Sequence, residues 1–333
     1  MKNYPVFILS VILMFIGHTS MAQDVRASDY QAIPLVVNPA QAGNFDGVLR
    51  LTSYREIVSS STVKNNYTNF SADANIGMNR QWAIGMNYFT SGQDNFQVSN
   101  KVLSFSLARK FFFDSFEVST LRVGAQLSYN QGNLDENKGI YSLDADAGVL
   151  RIPSAGNRPV GLPPQVSSMK YLNLAVGAIY KYEQGDVKFE TGAAFSNLTQ
   201  PKNSPFFANA GRRLRAAVHN TFSYSLNDQF TLNFNYFIWQ ERLFLAGYNP
   251  ALQDDNAPIK EDMIGLGADI YTRNDKISYE IAERSFKSVI ANVGYQFREN
   301  LKLNILYEHP LNAKYYDLKH LAFGLKVYLG DGF

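Results

Sequence analysis

Few side chains in this sequence have the type and spacing that chemistry requires. Beyond residue 22, histidine occurs only at His219, His309 and His320, which lie far apart in the chain. Histidine titrates near neutral pH and binds metals, but only where neighbouring groups arrange it. A metal site needs about three or four convergent ligands. We therefore expect no metal or catalytic site at these histidines, and we expect His219 to be a solvated side chain in the lumen.

An acidic group and a run of hydroxyls are also too incomplete to form a site. The acidic group lacks the glycine-punctuated loop of a calcium site, and its members are Asp254, Asp255, Glu261 and Asp262. The hydroxyl run from Ser59 to Thr62 has no base beside it, which a serine nucleophile requires. We expect both groups to lie in exposed loops. The sequence thus predicts a protein that is not an enzyme, with no catalytic residue, no metal site and no cofactor.

The densest basic cluster consists of Arg212, Arg213 and Arg215. Guanidinium groups bind phosphates and carboxylates through paired hydrogen bonds. The cluster could therefore contact anionic lipopolysaccharide or the carboxylates of a protein client. The alternative, which we favour, is ordinary solvated charge at the rim of a membrane protein.

Composition narrows the class of protein. The 333 residues include 24 phenylalanines, 20 tyrosines and no cysteine, and the net charge is +2. A chain without cysteine is not a disulfide-stapled module. A chain with so little net charge and no long basic run is not expected to bind nucleic acid.

The first 22 residues predict a secretory signal peptide. Lys2 precedes an apolar run from Val6 to Ile16, and small residues follow up to Ala22. The apolar run is shorter than the about 20 residues that a transmembrane helix needs. We expect residues 1–22 to be removed when the chain is exported.

From Gly47 onward the chain breaks into runs of about 9 to 13 residues with period two, the length of a strand that crosses a bilayer. In one such run the apolar face is Leu121, Val123, Ala125, Leu127 and Tyr129, and the other face is Arg122, Gly124, Gln126, Ser128 and Asn130. We predict an outer-membrane β-barrel of about 14 antiparallel strands over residues 47–333, preceded by a periplasmic or plug segment over residues 23–46. A soluble β-sandwich also alternates, but its strands usually have about 5 to 6 residues.

The same alternation assigns faces in the stretch from Lys188 to Ser196. Phe189 and Phe195 are expected to face lipid, whereas Lys188 and Glu190 face the lumen. On the next strand, His219 is expected on the lumen side by the same parity. Lipid offers no partner for an unpaired backbone amide, so such a sheet has to close on itself.

Loop lengths agree with a barrel whose N-terminus lies in the periplasm. Short connections then fall on the periplasmic side and the long one, Gln131 to Lys170, on the outer side, as in bacterial outer-membrane barrels. The weakest strand is the tenth, Leu243–Tyr248, for which Ile277–Ala282 is an alternative. If the tenth strand is correct, Asn249 to Asp262 forms an exceptionally long periplasmic loop.

Two segments stand outside the strand pattern. IPLVVNPAQAG, from Ile33 to Gly43, precedes the first strand. Its Pro39 removes a backbone donor and fixes φ, which is typical of a turn or plug. SNLTQPK, from Ser196 to Lys202, ends the seventh strand. These segments resemble two motifs of the PorP/SprF family of type IX secretion system membrane proteins. The matching residues are Asn38, Pro39, Ala40, Ala42 and Gly43 in the first, and Leu198, Thr199, Gln200, Pro201 and Lys202 in the second.

The resemblance covers essentially the whole chain after the signal peptide, with Asn197 standing where the family usually has histidine. It implies a non-catalytic barrel in the outer membrane of Bacteroidetes, within the secretion and gliding machinery. The implied partners are outer-membrane lipid, a large secreted or surface-anchored client protein and periplasmic components of the secretion apparatus. The alternative function is a porin-like channel for small solutes, although barrels of 16 to 18 strands are the ones that leave an aqueous channel.

Overall fold

The described part of the chain forms a closed antiparallel barrel of 14 strands. This computed structural model describes residues 28–59, 64–77, 80–93, 98–114, 118–134, 142–144, 149–151, 168–199, 214–241, 259–272, 275–285, 287–297, 300–311 and 319–330. The first and last strands pair along their length, from Leu49 opposite Leu329 to Ser59 opposite Lys319. The sheet therefore has no free edge, as a bilayer requires. The predicted fold class is confirmed.

Sixteen strands lie within the described residues, in chain order: β1 (Leu49–Ser59), β2 (Lys64–Ile76), β3 (Trp82–Gln93), β4 (Val98–Phe112), β5 (Ser119–Leu134), β6 (Ser142–Asp144), β7 (Val149–Arg151), β8 (Ser168–Gln184), β9 (Val187–Ser196), β10 (Arg215–Asn227), β11 (Phe230–Glu241), β12 (Ile259–Tyr271), β13 (Asp275–Arg284), β14 (Ser288–Phe297), β15 (Leu301–Pro310) and β16 (Lys319–Leu329). The two shortest, β6 and β7, pair with each other in a separate hairpin between β5 and β8.

The barrel is apolar outside and polar inside. On β5, Val123 and Leu127 are 44% and 46% exposed, whereas Arg122 and Gln126 are 6% and 8% exposed. Alternate residues of a strand point to opposite faces, so the period-two pattern of the sequence separates the two surfaces. Exposed apolar side chains around the whole barrel form the surface that acyl chains contact.

The region between β11 and β14 corrects the predicted strand order. The barrel closes without Leu243–Tyr248, which lie outside the described residues, so their prediction as a barrel strand is wrong. The alternative, Ile277–Ala282, lies within β13. β12 begins at Ile259, so the predicted periplasmic loop from Asn249 to Asp262 does not extend to Asp262. A short apolar run does not reveal whether another strand pairs with it, because strand pairing depends on residues far apart in the chain.

Residues 28–48, which precede β1, lie inside the barrel, and we call them the plug segment. It contains one helical turn, α1 (Pro34–Val37), followed by a 3-10 turn (Pro39–Gln41). A proline occupies the first position of each turn, where no intrahelical N–H bond is lost. Among the described residues, hydrogen bonds join the plug segment to nine strands of the wall: β1, β2, β5, β8, β9, β10, β14, β15 and β16. The segment is thus held on all sides of the lumen.

Apolar packing supplements these bonds. The Tyr30 ring stacks on Phe237 with centroids 4.6 Å apart, and Ile33 joins Tyr54 in a buried cluster on the β11–β16 side. Leu35 packs in the opposite direction, against the buried alanines of β3 and β4. In the described part of the chain, no helix is long and apolar enough to cross a membrane.

Candidate functional site

A row of small residues on the barrel wall makes room for the plug segment. The row crosses six neighbouring strands in register: Ala83, Ala108, Gly124, Gly177, Ala194 and Ala217. A Cβ added to Gly124 would lie 2.5 Å from the Ala40 nitrogen, and one added to Gly177 would lie 2.0 Å from the Asn38 side-chain oxygen. Both distances are far below van der Waals contact. The wall therefore admits the Asn38–Ala40 turn only because these positions lack side chains.

Asn38 of the first motif connects the plug segment to itself and to the wall. Its Oδ1 accepts a hydrogen bond of 2.9 Å from the Ala40 N–H, which caps the 3-10 turn. Its Nδ2 donates to the backbone oxygens of Ala178 and Ala193, at 3.2 and 3.3 Å. These two residues face each other on β8 and β9. Asn38 is fully buried, so the motif asparagine has a structural role that a shorter or apolar side chain does not reproduce.

Gly43 is the last residue of the first motif. Both its backbone conformation and the lack of room for a Cβ require glycine at this position. Its φ of +67° lies in the left-handed region that favours glycine, and an added Cβ would meet the Ala83 Cβ at 2.4 Å. Its N–H donates to Asp73 Oδ2 at 2.7 Å. Arg50 binds both oxygens of the same carboxylate at 2.9 Å and donates to the Gln41 carbonyl at 3.0 Å. This buried ion pair joins β1, β2 and the end of the motif.

A second buried cluster holds the beginning of the plug segment. The Ser28 hydroxyl lies 2.6 Å from an oxygen of Glu56, 2.6 Å from an oxygen of Glu308 and 2.8 Å from His320 Nδ1. Arg284 reaches the Glu308 carboxylate at 3.4 Å. Ser28 is 1% exposed and both carboxylates are fully buried, so solvent does not reach the serine beside this histidine. We interpret the cluster as a latch between the plug segment and β1, β15 and β16.

His219 and Glu190 form a third contact with the plug segment. Gln41 Nε2 lies 3.1 Å from Glu190 Oε1 and 3.2 Å from His219 Nε2, and Asn44 donates to Glu190 Oε2 at 3.1 Å. Both wall residues face the lumen, as their parity predicts, and Phe195 is exposed on the outside. His219 is only 3% exposed. The expectation of a solvated histidine is therefore wrong, because the plug segment covers it.

Asp29 carries a carboxyl group within the plug segment. Its Oδ1 accepts from the Ala32 N–H at 2.9 Å, at the start of a tight turn. Burial raises the pKa of this carboxyl above its ordinary value of 3.8, and the positive charges of Lys326 and Lys302 offset only part of that rise. The folded state thus favours the protonated acid.

Asp29→Asn should raise the thermal midpoint of the barrel in detergent at neutral pH. Asparagine keeps the acceptor for Ala32 and removes the buried charge. Because the folded pKa is raised, the stability linked to Asp29 is complete below about pH 3.8 and decreases as the pH rises. The advantage of the variant should therefore grow as the pH rises above about 3.8. Asp46→Asn, at the exposed end of the segment, is the control. A wild type that is more stable than Asp29→Asn at alkaline pH would contradict the prediction.

The second motif begins where β9 ends, at Ser196. Asn197 has a φ of +61° and accepts a hydrogen bond of 2.9 Å from Asn173. Leu198 N–H then donates to the Leu174 carbonyl at 3.1 Å, and the Thr199 hydroxyl donates to the Leu172 carbonyl at 3.1 Å. The motif thus continues along β8 after the turn at Asn197. Its remaining residues, Gln200, Pro201 and Lys202, lie outside the described residues.

The predicted basic cluster is described only in part. Arg215, at the start of β10, donates to Ser196 Oγ at 2.8 Å, and its guanidinium lies 5.8 Å from the centre of the Trp239 ring. Arg212 and Arg213 lie outside the described residues. Contact of this cluster with lipopolysaccharide or a client stays a prediction.

Two hollows lie beside the plug segment, toward opposite ends of the barrel, and Val37 lines both. The first, of about 70 Å³, is lined by Pro39 of the first motif together with Asn197 and Arg215, and we call it the outer hollow because loop lengths predict that this end of the barrel faces the cell exterior. The structure therefore brings the first motif beside the start of the second. The second, of about 310 Å³, lies near the turn between β8 and β9, and we call it the periplasmic hollow because short turns are predicted on that side. Its charged lining residues are Arg50, Lys181, Glu183, Lys188, Glu190 and His219.

The other predicted candidates do not converge. Asp254, Asp255 and most of the hydroxyl run lie outside the described residues, and Ser59 ends β1. Glu261 and Asp262 lie on β12 and not in a loop, which corrects their expected placement. His309 contacts Tyr307 on the outer face of β15. Among the described residues, no group of three or more histidine, aspartate or glutamate side chains is arranged to hold a metal ion.

Sequence reasoning did not find the polar anchors of the plug segment. Arg50, Asp73, Glu56 and Glu308 are ordinary inward positions in the alternation, and nothing local distinguishes them. A general rule gave a weak indication: a charged residue at an inward position is rarely buried unless an opposite charge pairs with it. Their pairing, however, depends on strand register and on the path of the plug segment.

The fold and this lumen define the class: an outer-membrane β-barrel whose interior holds its own N-terminal segment. A family model described as type IX secretion system membrane protein PorP/SprF matches residues 19–322. The chain belongs to the PorP/SprF family, and the predicted resemblance is confirmed. No curated protein is similar enough in sequence to count as a match.

Solved structures with a similar fold are outer-membrane barrels. The toluene transporter TbuX of Ralstonia pickettii aligns with a TM-score of 0.51 at 11% identity, over 90% of this chain and 94% of that chain. A FadL homologue of Pseudomonas aeruginosa aligns with a TM-score of 0.46 at 11% identity, over 87% and 91%. The translocator domain of the autotransporter NalP from Neisseria meningitidis aligns with a TM-score of 0.41 at 14% identity, over 91% and 96%. At these identities the likeness concerns the fold alone.

Proposed function

We propose that this barrel is a non-enzymatic outer-membrane component that supports secretion or surface attachment of a large client protein. The observation that carries the proposal is the filled lumen. The plug segment fits the small-residue row at Gly124 and Gly177 and is bonded to both the Asp73 and the Glu56–Glu308 clusters. A wall that is shaped around an internal segment suits a docking platform better than an open diffusion pore. Membership of a secretion-system family supports the same role.

Client contact is assigned to the outer side. The connection 135–167 is the longest between neighbouring barrel strands, and it includes the β6–β7 hairpin. Its prolines, at positions 153, 159, 163 and 164, restrict the chain and so lower the entropy lost on binding. The arginines at 212, 213 and 215 are the second candidate, through the carboxylates of a client or the phosphates of lipopolysaccharide. Periplasmic components of the secretion apparatus would meet the opposite end.

Deletion of the gene should remove a specific large protein from the cell surface, while other outer-membrane proteins remain. Surface labelling of intact cells followed by mass spectrometry measures this, and complementation with the wild-type gene should restore display. Unchanged display of all surface proteins would contradict the proposal. General loss of outer-membrane proteins would also contradict it, because it would indicate a role in membrane integrity.

A solute channel is the competing function, and conductance separates the two. Purified wild-type protein in a planar bilayer should give no stable open current, because the plug segment occupies the lumen. A steady current from the wild type would favour a channel. The measurement needs no client and is therefore independent of the deletion experiment.

A further inference from the structure

The outer hollow has an uncharged polar lining. Its six carboxamides are Asn87, Asn100, Gln126, Asn130, Asn173 and Asn197. Arg215 is the one charged residue among those that line it, and its guanidinium is already engaged by Ser196 and Trp239. The periplasmic hollow is lined by charges of both signs. The chemistry of the outer hollow therefore suits a neutral ligand with many hydrogen-bonding groups.

Strand register places part of this lining at one level of the lumen. Asn87 on β3 lies opposite Ser104 on β4, Ser104 lies opposite Ser128 on β5, and Ser128 lies opposite Asn173 on β8. The hydroxyls of Ser104 and Ser128 are 3.0 Å apart. The four side chains form a continuous polar band across four neighbouring strands, above the plug segment.

Two atoms of the lining are buried without a hydrogen-bond partner in the described part of the chain. They are Asn87 Oδ1, an acceptor, and Asn130 Nδ2, a donor, and their residues are 2% and 6% exposed. Buried polar groups are normally paired, since an unpaired one costs about 1 to 3 kcal/mol. An acceptor and a donor in the same hollow are both satisfied by hydroxyl groups, which donate and accept.

Apolar atoms complete the lining. Phe89 and Val102 lie opposite each other on β3 and β4, and Val36 of the plug segment joins them in the hollow. A sugar ring carries hydroxyls at its edge and C–H groups on its faces, which is the combination that carboxamides and apolar side chains contact together.

We propose that the outer hollow binds a neutral sugar, namely the terminal residue of a glycan that approaches from the cell exterior. The volume of about 70 Å³ holds about two water molecules at about 30 Å³ each, so the hollow takes the hydroxyl-bearing edge of one sugar ring. The rest of the ligand lies toward the outer opening. This site goes beyond the proposed role in secretion and does not depend on it.

The test measures binding of methyl glycosides of glucose, galactose, mannose and N-acetylglucosamine to the purified full-length barrel. The protein is kept in an amine-oxide detergent, because maltoside and glucoside detergents are themselves sugars. We expect saturation-transfer NMR signals for at least one glycoside and a millimolar Kd by calorimetry. The Asn87→Ala/Asn130→Ala variant should bind about tenfold more weakly, which corresponds to about 1.4 kcal/mol.

Lys188→Ala, in the periplasmic hollow, is the matched control and should leave the affinity unchanged. Folding of each variant is checked by its heat-dependent migration in SDS gels. If the double variant does not fold, Asn100→Leu, at a half-buried position, fills the same hollow and should abolish binding. Absence of a signal for all four glycosides, or binding that neither variant weakens, would overturn the proposal. Binding of an uncharged glycine–serine tripeptide in place of the glycosides would overturn it in favour of a peptide ligand.

Discussion

Gly124→Ala should displace the plug segment from the barrel wall while the barrel itself remains folded. The added methyl would lie 2.5 Å from the Ala40 nitrogen, 2.6 Å from the Pro39 carbonyl carbon and 2.7 Å from the Ala40 Cα. These are backbone atoms inside a short turn, which the capping bonds of Asn38 hold in place. A side-chain rotation does not relieve the overlap.

Overpacking of this kind costs about 1 to 3 kcal/mol, and we expect the upper end of that range because neither side of the contact yields. The expected result is a lower thermal midpoint and protease cleavage within residues 28–48 at concentrations that leave the wild type intact. Planar-bilayer recordings should show current from the variant that is absent in the wild type. Mass spectrometry of the digest identifies the cleavage sites.

Gly132→Ala is the matched control, since it lies on the same strand and a Cβ there meets nothing within 4 Å. It should behave as the wild type in all three measurements. If Gly124→Ala resists protease as well as Gly132→Ala does, the plug segment is not held at this row. In that case the filled lumen no longer supports the proposed function.

The second large effect is expected at Asp73. Asp73→Ala should lower the free energy of unfolding of the barrel by about 3 to 5 kcal/mol, as is typical when one partner of a buried ion pair is removed. Arg50 would keep its buried charge without a carboxylate, and the Gly43 N–H would lose its acceptor. The side chains of Arg50 and Asp73 are 5% and 0% exposed, so water does not replace the carboxylate that Arg50 would lose.

Urea unfolding in detergent, followed by tryptophan fluorescence, measures this difference. Glu183→Ala removes one partner of the exposed Lys188–Glu183 pair and should cost at most about 1 kcal/mol. The double variant Arg50→Met/Asp73→Leu should recover much of the loss, because apolar side chains of similar volume replace the pair. A loss as small in Asp73→Ala as in Glu183→Ala would show that the pair does not anchor the plug segment.

The local pattern of apolar and polar residues was sufficient to predict the strands of the barrel and their two faces. The alternation of Val123 and Leu127 with Arg122 and Gln126 predicts which face meets lipid, because successive side chains of a strand point to opposite sides whatever the strand pairs with. The same parity placed Glu190 in the lumen. Parity was insufficient to predict that His219 is buried, because its burial depends on a segment more than 170 residues earlier in the chain.

The two motifs were recognisable as sequence, but their physical roles were not. Asn38 is constrained by the carbonyls of β8 and β9, and Gly43 by Asp73 on β2. None of these partners is near in sequence. The misplaced tenth strand has the same origin, since the short apolar run at 243–248 carries no information about the strands that it would pair with.

By itself, the sequence of this protein determined the strand period, the two faces of each strand and the motifs of the family, since each of these depends on residues close together in the chain. Only the tertiary structure decided what fills the lumen. Strand register aligns Ala108, Gly124 and Gly177 into one row, and it brings Arg50 to Asp73 and Ser28 to Glu308. Register is a property of closure around the whole barrel, and a shift by one residue turns every side chain to the other face.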